Sequence, residues 1–434
     1  MTPNIPQTNQ TRIVIVGAGF GGLALAQKLA RHDVQIVLID RNNYHQFQPL
    51  FYQVAMAGLE PASISFPLRK IFQNKKNVHI RITKVNRIKT TEKIIETDLG
   101  DIAYDYLVLA TGADTNFFGM QNMIDKAIPM KSVSEAIYLR NKVLQNFEDA
   151  LTVKDPAEKA GLMSVVVVGG GPTGVEVSGT LAEMKKIILP KDYPELDFDL
   201  MQIYLFESSP KVLEVMSEEA SVKGKEYLER LGVIVKTGNR VVDFDGEYVY
   251  TNKGETIRCR NLVWAAGIRG NSIEGLPQEI YQRGNRIKVN EFNQVEGFDN
   301  IFALGDIACM MNVEEEYPNG HPQIAQPAIQ QGNLLAKNIM RIIRNETPKP
   351  FAYKNLGSMA TVGRHLAVVD LPFWKFQGAF AWYVWMFVHL MAILGVKNKV
   401  LIFINWLWNY VTYDQSLRLI IKPKVKKNDE ELVS

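Results

Sequence analysis

The stretch Ile13-Val14-Ile15-Val16-Gly17-Ala18-Gly19-Phe20-Gly21-Gly22 decides the fold of this chain. Four consecutive β-branched residues read as a strand buried on both faces, as in a parallel sheet. The glycines that follow fit G-x-G-x-x-G as Gly17, Gly19 and Gly22. Gly17 permits the tight turn, Gly19 lets backbone approach a pyrophosphate, and Gly22 lets helix pack close to strand. A helix is predicted from Leu23 to Ala30, and its N-terminus offers unpaired N–H groups and the positive end of a dipole to phosphate. A second buried strand, Ile36-Val37-Leu38-Ile39, ends in Asp40, 23 residues after Gly17, where an acid can bind a ribose hydroxyl. Strand, glycines, helix, strand and acid in this order predict a dinucleotide site. The alternative is a Gly-rich turn in an ordinary α/β sheet.

The same pattern returns in mid-chain. Ser164-Val165-Val166-Val167-Val168-Gly169-Gly170-Gly171-Pro172-Thr173-Gly174 is a buried strand followed by Gly169, Gly171 and Gly174 at the same spacing. A helix is predicted from Val175 to Ile188, and the strand Ile203-Tyr204-Leu205-Phe206 ends in Glu207. Glu207 comes 38 residues after Gly169, the excess being taken up by a Pro-containing insertion from Leu189 to Leu200. No arginine follows the acid directly. A carboxylate repels a 2′-phosphate and accepts a 2′-hydroxyl, so this site favours NAD(H) over NADP(H). Each half then enters a hydrophobic strand with a small-residue end: Leu107 through Ala110-Thr111-Gly112, and Leu262-Val263-Trp264-Ala265-Ala266-Gly267. Small residues there let backbone pass close to a ligand. The chain is an internal duplication of nucleotide-binding units.

Its 434 residues exceed one ordinary core and point to two or three domains. It is 47% hydrophobic and 22% charged, which marks a globular chain, and a net charge of +3 gives no nucleic-acid signal. Cys259 and Cys309 form no C-x-x-C, which excludes that dithiol chemistry. Six histidines without ligand spacing argue against a metal site. Met1 to Thr11 is a polar tail without a secretory pattern.

Other stretches carry candidate residues. Tyr44 to Ala55 is aromatic and amide-rich, includes Gln53, and reads as a loop and short helix that either packs or walls a pocket. Val85 and Ile88 hold apolar positions of short strands. Ser132 to Ala150 suits an amphipathic helix, and Lys154 to Ala160 a polar linker. Glu176 is read either as an acid in the first helical turn complementing the dipole or as a carboxylate near reacting rings. Asn300 to Ala308 runs as a strand into Gly305-Asp306, where Asp306 is either a helix N-cap or a ligand for a ribityl hydroxyl. Gln326 and Ala328 open the next helix, where an amide can face a flavin or its substrate.

Two dinucleotide folds with a Gly-Asp turn beyond the second resemble the two-dinucleotide-binding-domain flavoproteins. Dithiol members need C-x-x-x-x-C or C-x-x-C, and sulfide:quinone reductases use three cysteines, whereas this chain has two. What remains is similar to the type II NADH dehydrogenases, single-subunit NADH:quinone oxidoreductases. The matching motifs are His45-Gln46-Phe47-Gln48-Pro49-Leu50-Phe51-Tyr52-Gln53-Val54-Ala55, Gly171-Pro172-Thr173-Gly174-Val175-Glu176, Trp264-Ala265-Ala266-Gly267 and Ala325-Gln326, and the resemblance runs from Arg12 to Ile421.

The resemblance implies an α/β chain of two Rossmann-like domains, with the NADH domain inserted in the FAD domain and a C-terminal amphipathic membrane-binding helical segment. The expected boundaries are residues 12–125 and 276–370 for FAD, 126–275 for NADH and 371–434 for the membrane segment. FAD contacts are expected from Gly17, Gly19, Gly22, Asp40, Gln53, Val85, Ala110, Thr111, Gly112, Asp306, Gln326 and Ala328. NADH contacts are expected from Gly169, Gly171, Gly174, Glu176, Glu207, Ala266 and Gly267, with Glu176 and Gln326 as the catalytic pair. The implied reaction passes a hydride from NADH to FAD and two electrons on to a membrane quinone, without proton pumping. A homodimer is expected, on the cytoplasmic side of the inner membrane, with no nucleic-acid partner. Three other readings stay open: an NADH-dependent reductase of a ferredoxin- or rubredoxin-type protein, a quinone reductase with sulfide as donor, against which the cysteine count argues, and a non-catalytic NAD(H)-binding redox sensor.

The C-terminal stretch supports a membrane-surface role. Phe376 to Val396 contains 21 residues without Asp, Glu, Lys or Arg, and a second apolar run extends from Val400 to Tyr413. Five of the six tryptophans lie beyond residue 370, and tryptophan prefers the membrane–water interface. From Leu371 onward the net charge is +4 against −1 for the rest, through Lys375, Lys397, Lys399, Arg418, Lys422, Lys424, Lys426 and Lys427 opposed by Asp414, Asp429, Glu430 and Glu431. Interfacial helices are the favoured reading; by length alone the first run also reaches a bilayer span.

Overall fold

The computed structural model describes residues 2–412 and 417–421. Its principal elements, in chain order, are β1 (Arg12–Val16), α1 (Phe20–Leu29), β2 (Gln35–Asp40), α2 (Phe51–Ala55), β3 (Val78–Ile82), β4 (Tyr106–Leu109), α3 (Val133–Thr152), β5 (Val165–Val168), α4 (Pro172–Glu183), β6 (Ile203–Glu207), β7 (Ile234–Thr237), β8 (Asn261–Trp264), β9 (Ile301–Ala303), α5 (Ala325–Ile343), β10 (Ser358–Gly363), β11 (Leu366–Asp370), β12 (Lys375–Gln377), α6 (Ala379–Ala392) and α7 (Val396–Thr412). They fall into two compact units.

The first unit takes the chain up to Gln46, then Ser65–Asn116 and Ile268–Leu356. Its centre is a parallel sheet in the order β9-β4-β1-β2-β3. Ile13 pairs with Ile36 and Tyr106, and Val16 with Ile39 and Leu109, so β1 is flanked on both edges. Ile13, Val14 and Ile15 are fully buried, as a β-branched run in a parallel sheet requires. Burial of each is worth about 2 kcal/mol. Helix α1 begins at Phe20 rather than Leu23, because Gly19 takes an extended N-cap conformation and the helix absorbs Gly21 and Gly22. Helix α5 lies against α1 at glycines: a Cβ on Gly332 would come within 2.4 Å of the Gly21 carbonyl oxygen.

The second unit takes Phe47–Ile64, Phe117–Gly267 and the chain from Gly357. It repeats the topology: Ile128–Pro129, β8, β5, β6 and β7 form a parallel sheet in that order. Lys154 to Ala160 is not a linker. Pro156–Met163 is helical, because Asp155 caps the N–H groups of Ala157 and Glu158 and Pro156 occupies the first turn. Helix α4 starts at Pro172 and ends at Glu183, where a π turn, Met184–Ile188, takes over.

The boundary expected at residue 370 falls inside a sheet. Strand β11 pairs with β10 on one side and β12 on the other, and all three group with the second unit, as do residues 47–64. Phe376 therefore belongs to a strand, and Gly378 at φ +85° turns the chain into α6 of only 14 residues. Among the described residues no helix is long and apolar enough to cross a membrane. Lys422, Lys424, Lys426, Lys427, Tyr413, Asp414, Asp429, Glu430 and Glu431 lie outside the described residues.

Candidate functional site

Each unit builds one glycine turn. In the first, Gly17 has φ +106°, its N–H donates to the Ile39 carbonyl at 2.7 Å, and a Cβ there would strike the Ala110 carbonyl oxygen at 2.1 Å. A Cβ on Gly22 would sit 2.0 Å from the Gly17 oxygen, so only glycine lets α1 close onto the turn. Gly19 is different: nothing lies within 4 Å of its Cβ direction, and as N-cap it gives α1 no side-chain cap. The first-turn N–H groups of α1 are thus left to a ligand. The Asp40 carboxylate accepts the Ala18 N–H at 2.7 Å through one oxygen and the Asn42 N–H at 2.7 Å through the other. Burial still raises its pKa, against those two donors. A carboxylate has acceptor capacity beyond two bonds, so Asp40 both pins the turn and can receive a hydroxyl.

The second unit repeats this. Gly169 has φ +109° and donates to the Phe206 carbonyl at 2.8 Å, and Cβ atoms at Gly169 and Gly174 would meet Ala265 at 2.7 Å and the Gly169 oxygen at 1.8 Å. Gly171 faces open space and leaves α4 uncapped. Glu207 accepts the Gly170 N–H at 2.5 Å and the Ser209 N–H at 2.7 Å, and Ser208 Oγ donates to it at 3.0 Å. Gly112 and Gly267 end their strands at φ +68° and +72°. Ala110 and Ala266 stand beside these turns, Ala110 N–H donating to the Val16 carbonyl at 2.8 Å.

The remaining first-unit candidates separate. Thr111 Oγ1 donates to the Asn271 carbonyl at 2.7 Å beside the Gly112 turn. Gly305-Asp306 forms a 3₁₀ turn rather than a helix N-cap, held by Gln331, whose buried Oε1 accepts the Gly305 N–H at 2.7 Å. Ala328 touches this turn: a Cβ on Gly305 would come within 3.2 Å of Ala328 Cβ. In the first turn of α5, Gln326 Oε1 accepts both the Tyr353 hydroxyl and the Leu356 N–H at 3.1 Å. The Val85 side chain belongs to the core cluster with Val16, Ile39 and Leu109. Gln331 is not among the residues the sequence singles out; its signal is an amide between one and two turns into a helix that begins at Ala325. His45 was quoted only as part of a motif. It is buried, its ring nitrogen bonds the Ala18 carbonyl at 2.9 Å, and burial lowers its pKa, which keeps the imidazole neutral.

In the second unit the polar centre is Glu176. It lies in the second turn of α4, so it does not complement the helix dipole. It is 8% exposed, and burial holds its carboxyl well above the usual carboxylate range, against the Thr361 backbone N–H and the Trp385 indole, which favour the charged form. Gln53, expected at FAD, has both ends of its amide engaged in this unit: Nε2 donates to Tyr52 Oη at 2.9 Å, and Oε1 accepts Trp406 Nε1–H at 2.8 Å. Tyr52, Gln53 and Trp406 line a cavity of about 340 Å³ with Glu183, Arg364 and Trp385. The outer faces of α6 and α7 are apolar and exposed: Phe380, Phe387, Phe403, Ile404, Leu407, Trp408 and Val411 are each at least half exposed.

Uncapped helix N-termini, open space at the middle glycines and anchored acids fit the adenine dinucleotides the sequence implies, FAD at the first turn and NADH at the second. Comparison with known proteins agrees with the architecture. Residues 11–332 match the pyridine nucleotide-disulphide oxidoreductase family, and residues 355–412 match the NDH2 C-terminal domain, which includes β10, β11 and β12 as well as both helices. The type II NADH:quinone oxidoreductase Ndh of Mycobacterium tuberculosis is 33% identical over 419 residues, covering 93% of this chain and 89% of the relative. A type II NADH:quinone oxidoreductase of Staphylococcus aureus is 30% identical over 370 residues, covering 82% and 89%. The structure of NDH2 from Plasmodium falciparum in complex with NADH shares the fold with a TM-score of 0.87 at 22% identity, over 95% of this chain and all of that one. On this similarity of sequence, fold and turn geometry, the chain belongs to the type II NADH:quinone oxidoreductase family, within the pyridine nucleotide-disulphide oxidoreductases.

Proposed function

We propose that this protein oxidises NADH and reduces a membrane quinone through one bound FAD, without pumping protons, while resting on the membrane surface. The duplicated pair of uncapped glycine-turn helices, each with a carboxylate tied to its turn, carries the reading. Bound FAD supplies the redox chemistry, accepting a hydride from NADH and giving two electrons to quinone. The protein binds and orients. The Gly17 turn and Asp40 hold the FAD diphosphate and ribose, with Ala110, Thr111, Gly112, Asp306 and Ala328 along the remainder of the cofactor. The Gly169 turn and Glu207 hold NADH, and Glu207 rejects a 2′-phosphate. Ala266 and Gly267 let backbone lie close to the nicotinamide end. Glu176, whose carboxyl burial pushes towards the protonated form, is a proton donor for the quinone. Gln326, whose oxygen accepts from Tyr353 and Leu356, is the amide assigned to the quinone.

The exposed face of α6 and α7 supports docking on lipid, with Phe387, Trp408 and their neighbours at the depth where amphipathic helices lie and Lys397 exposed beside them. The face in contact with NADH is the cytoplasmic face of the inner membrane. The expected homodimer rests on the resemblance and is tested by light scattering in mild detergent.

Vesicles carrying protein and quinone test the function. The expected result is NADH-dependent quinone reduction with no change in lumenal pH. NADH-dependent reduction of an added ferredoxin or rubredoxin but not of quinone would establish a protein acceptor instead.

A further inference from the structure

The net reaction NADH + H⁺ + quinone → NAD⁺ + quinol consumes one proton from water in each turnover. NADH brings one of the two protons that quinol needs, and the other must reach the site. Glu176 is the buried acid assigned to that task, yet it is only 8% exposed. Its own helix shows where a proton can enter. Glu183 lies seven residues on, two turns along α4 and about 10 Å away on the same face. Between them Gly179 meets the backbone of β10 so closely that a Cβ would come within 1.6 Å of the Val362 oxygen, which seals this stretch of helix against β10.

The cavity of about 340 Å³ opens where that seal ends. It is lined by Tyr52, Thr180, Glu183, Arg364 and His365 among others, and has room for several water molecules. Thr180 lines the cavity and donates its hydroxyl to the Glu176 carbonyl at 2.8 Å, so the cavity wall reaches within one turn of Glu176. The π turn Met184–Ile188 follows Glu183 directly, an interruption of helix geometry often found at functional positions. Glu183 Oε1 accepts the Arg364 backbone N–H at 2.6 Å. Arg364 itself lies over the Tyr410 ring at 4.1 Å and donates to the Tyr410 carbonyl at 2.6 Å. Tyr52 responds electrostatically to both Glu176 and Glu183, and its hydroxyl accepts from Gln53, which leaves the hydroxyl hydrogen to donate.

We propose that this cavity is the proton-uptake port of the quinone-reducing reaction, with Glu183 as the loading group and Tyr52, with cavity water, as the link to Glu176. Resting on the oxidoreductase reading, it adds the route to the site. A proton from solvent adds to the Glu183 carboxylate. Glu183 then releases it to water or the Tyr52 oxygen, Tyr52 gives up its own hydrogen in the same direction, and the Glu176 carboxylate is protonated. No electron moves along this path. The groups facing Glu183 are Tyr52 from α2 and Arg364 and His365 from the β10–β11 turn; burial raises the Glu183 pKa, and the Arg364 N–H and charge oppose the rise. Its protonated form therefore persists to higher pH than that of an exposed carboxyl, while the Arg364 N–H and charge still favour release of the proton.

Glu183→Gln keeps an acceptor for the Arg364 N–H and removes the titration. The test follows the two half-reactions separately in the flavin-loaded protein, over a range of pH and in H₂O and D₂O. The expected result is unchanged bleaching by NADH, quinone reoxidation slowed at least about tenfold, an enlarged solvent isotope effect on that step, and a flattened pH profile. Tyr52→Phe should slow the same step, and Glu183→Asp should restore part of it. Infrared difference spectra of the flavin-free protein give a second readout: a protonated-carboxyl band that titrates in the wild type and is lost in Glu183→Gln. If Glu183→Gln and Tyr52→Phe both reoxidise with the wild-type rate, isotope effect and pH profile while Glu176→Gln is slow, the port is wrong and the role of Glu176 stands. If wild-type flavin does not bleach with NADH or does not recover with quinone, the underlying reading fails instead.

Discussion

At Gly17 and Gly169 the backbone turns at φ +106° and +109°, the same N–H-to-strand bond closes at 2.7 and 2.8 Å, and an acid from the second strand ties each turn from behind. The helices that leave those turns then diverge. Helix α1 carries no acidic residue and spends its outer face on α5, glycine against glycine at Gly21 and Gly332. Helix α4 spends a glycine, Gly179, on strand β10, and that close approach buries Glu176 on one side and leaves Glu183 beside a cavity on the other. One turn is built to hold a ligand and nothing else. The other holds a ligand and carries a line of acids along its helix. The glycine turn is built twice, and only the second of these helices carries acids, Glu176 and Glu183, along its length.

The strongest way to break this comparison is to place a methyl group at each turn. Gly17→Ala forces a Cβ into the Ala110 carbonyl at a positive φ, a strain of about 3 kcal/mol or more. It should yield flavin-poor protein, measured by flavin absorbance per chain after gel filtration. Gly169→Ala should retain flavin and raise the KM for NADH about a hundredfold. Loss of flavin in both variants would deny the separate roles of the two turns.

Next is Glu176→Gln. It should leave NADH-driven bleaching unchanged and slow reoxidation by quinone about a hundredfold, in stopped-flow traces. The pH dependence has a definite sign: the Glu176 carboxyl is raised by burial, so its protonated, donating form declines as pH rises through that raised value, and wild-type reoxidation should fall in the alkaline direction. Because folding favours the protonated form, the stability this group contributes in its protonated state is lost as pH rises, so Glu176→Gln should gain thermal stability over wild type with increasing pH. A smaller effect is expected at the second acid. Glu207→Gln should narrow the preference for NADH over NADPH about tenfold, read as a ratio of kcat/KM values.

The smallest effect comes from a half-buried histidine in the second unit. His389 stacks on Trp385 at 4.1 Å, and burial lowers its pKa to about 4, so protonation opposes folding and stability is lost as pH falls below the unfolded value near 6.5. Between pH 7 and 5.5 this should remove about 1 kcal/mol, visible as a drop in Tm and a change in tryptophan emission. His389→Gln should flatten that drop, leaving whatever His45 contributes in the first unit. An unchanged acid slope would show that Trp385 packs without His389.

Both sheets could be read from the sequence because their strands are unbroken β-branched runs and their turns need glycine for steric reasons that spacing alone reveals. The positions of Asp40 and Glu207 at the ends of their strands were legible too, but their bonds to the turn N–H groups of Ala18 and Gly170 were not. The surroundings of Glu176 were not. Thr361 and Trp385 act on it from 185 and 209 positions further along the chain, and no local pattern encodes such packing. The bonds of Gln53 to Tyr52 and to Trp406, 353 positions away, were not legible either, since only the fold brings α7 to that amide. The C-terminal boundary was misplaced because Lys375, Phe376 and Gln377 look like the approach to an apolar helix; only their pairing with β11 shows a strand. Residues 154–160 looked like a linker because their polarity masked an Asp-Pro helix start.

The central claim is that the two turns serve two ligands in one electron path. Its most direct test mixes the flavin-loaded protein with NADH in the absence of oxygen, follows the flavin absorbance, and then adds a short-chain quinone. The account predicts full bleaching by NADH but not by an equal concentration of NADPH, followed by full recovery with quinone. Flavin that stays oxidised in the presence of NADH would contradict it, because the Gly169 turn would then not be delivering a reductant to the ligand of the Gly17 turn.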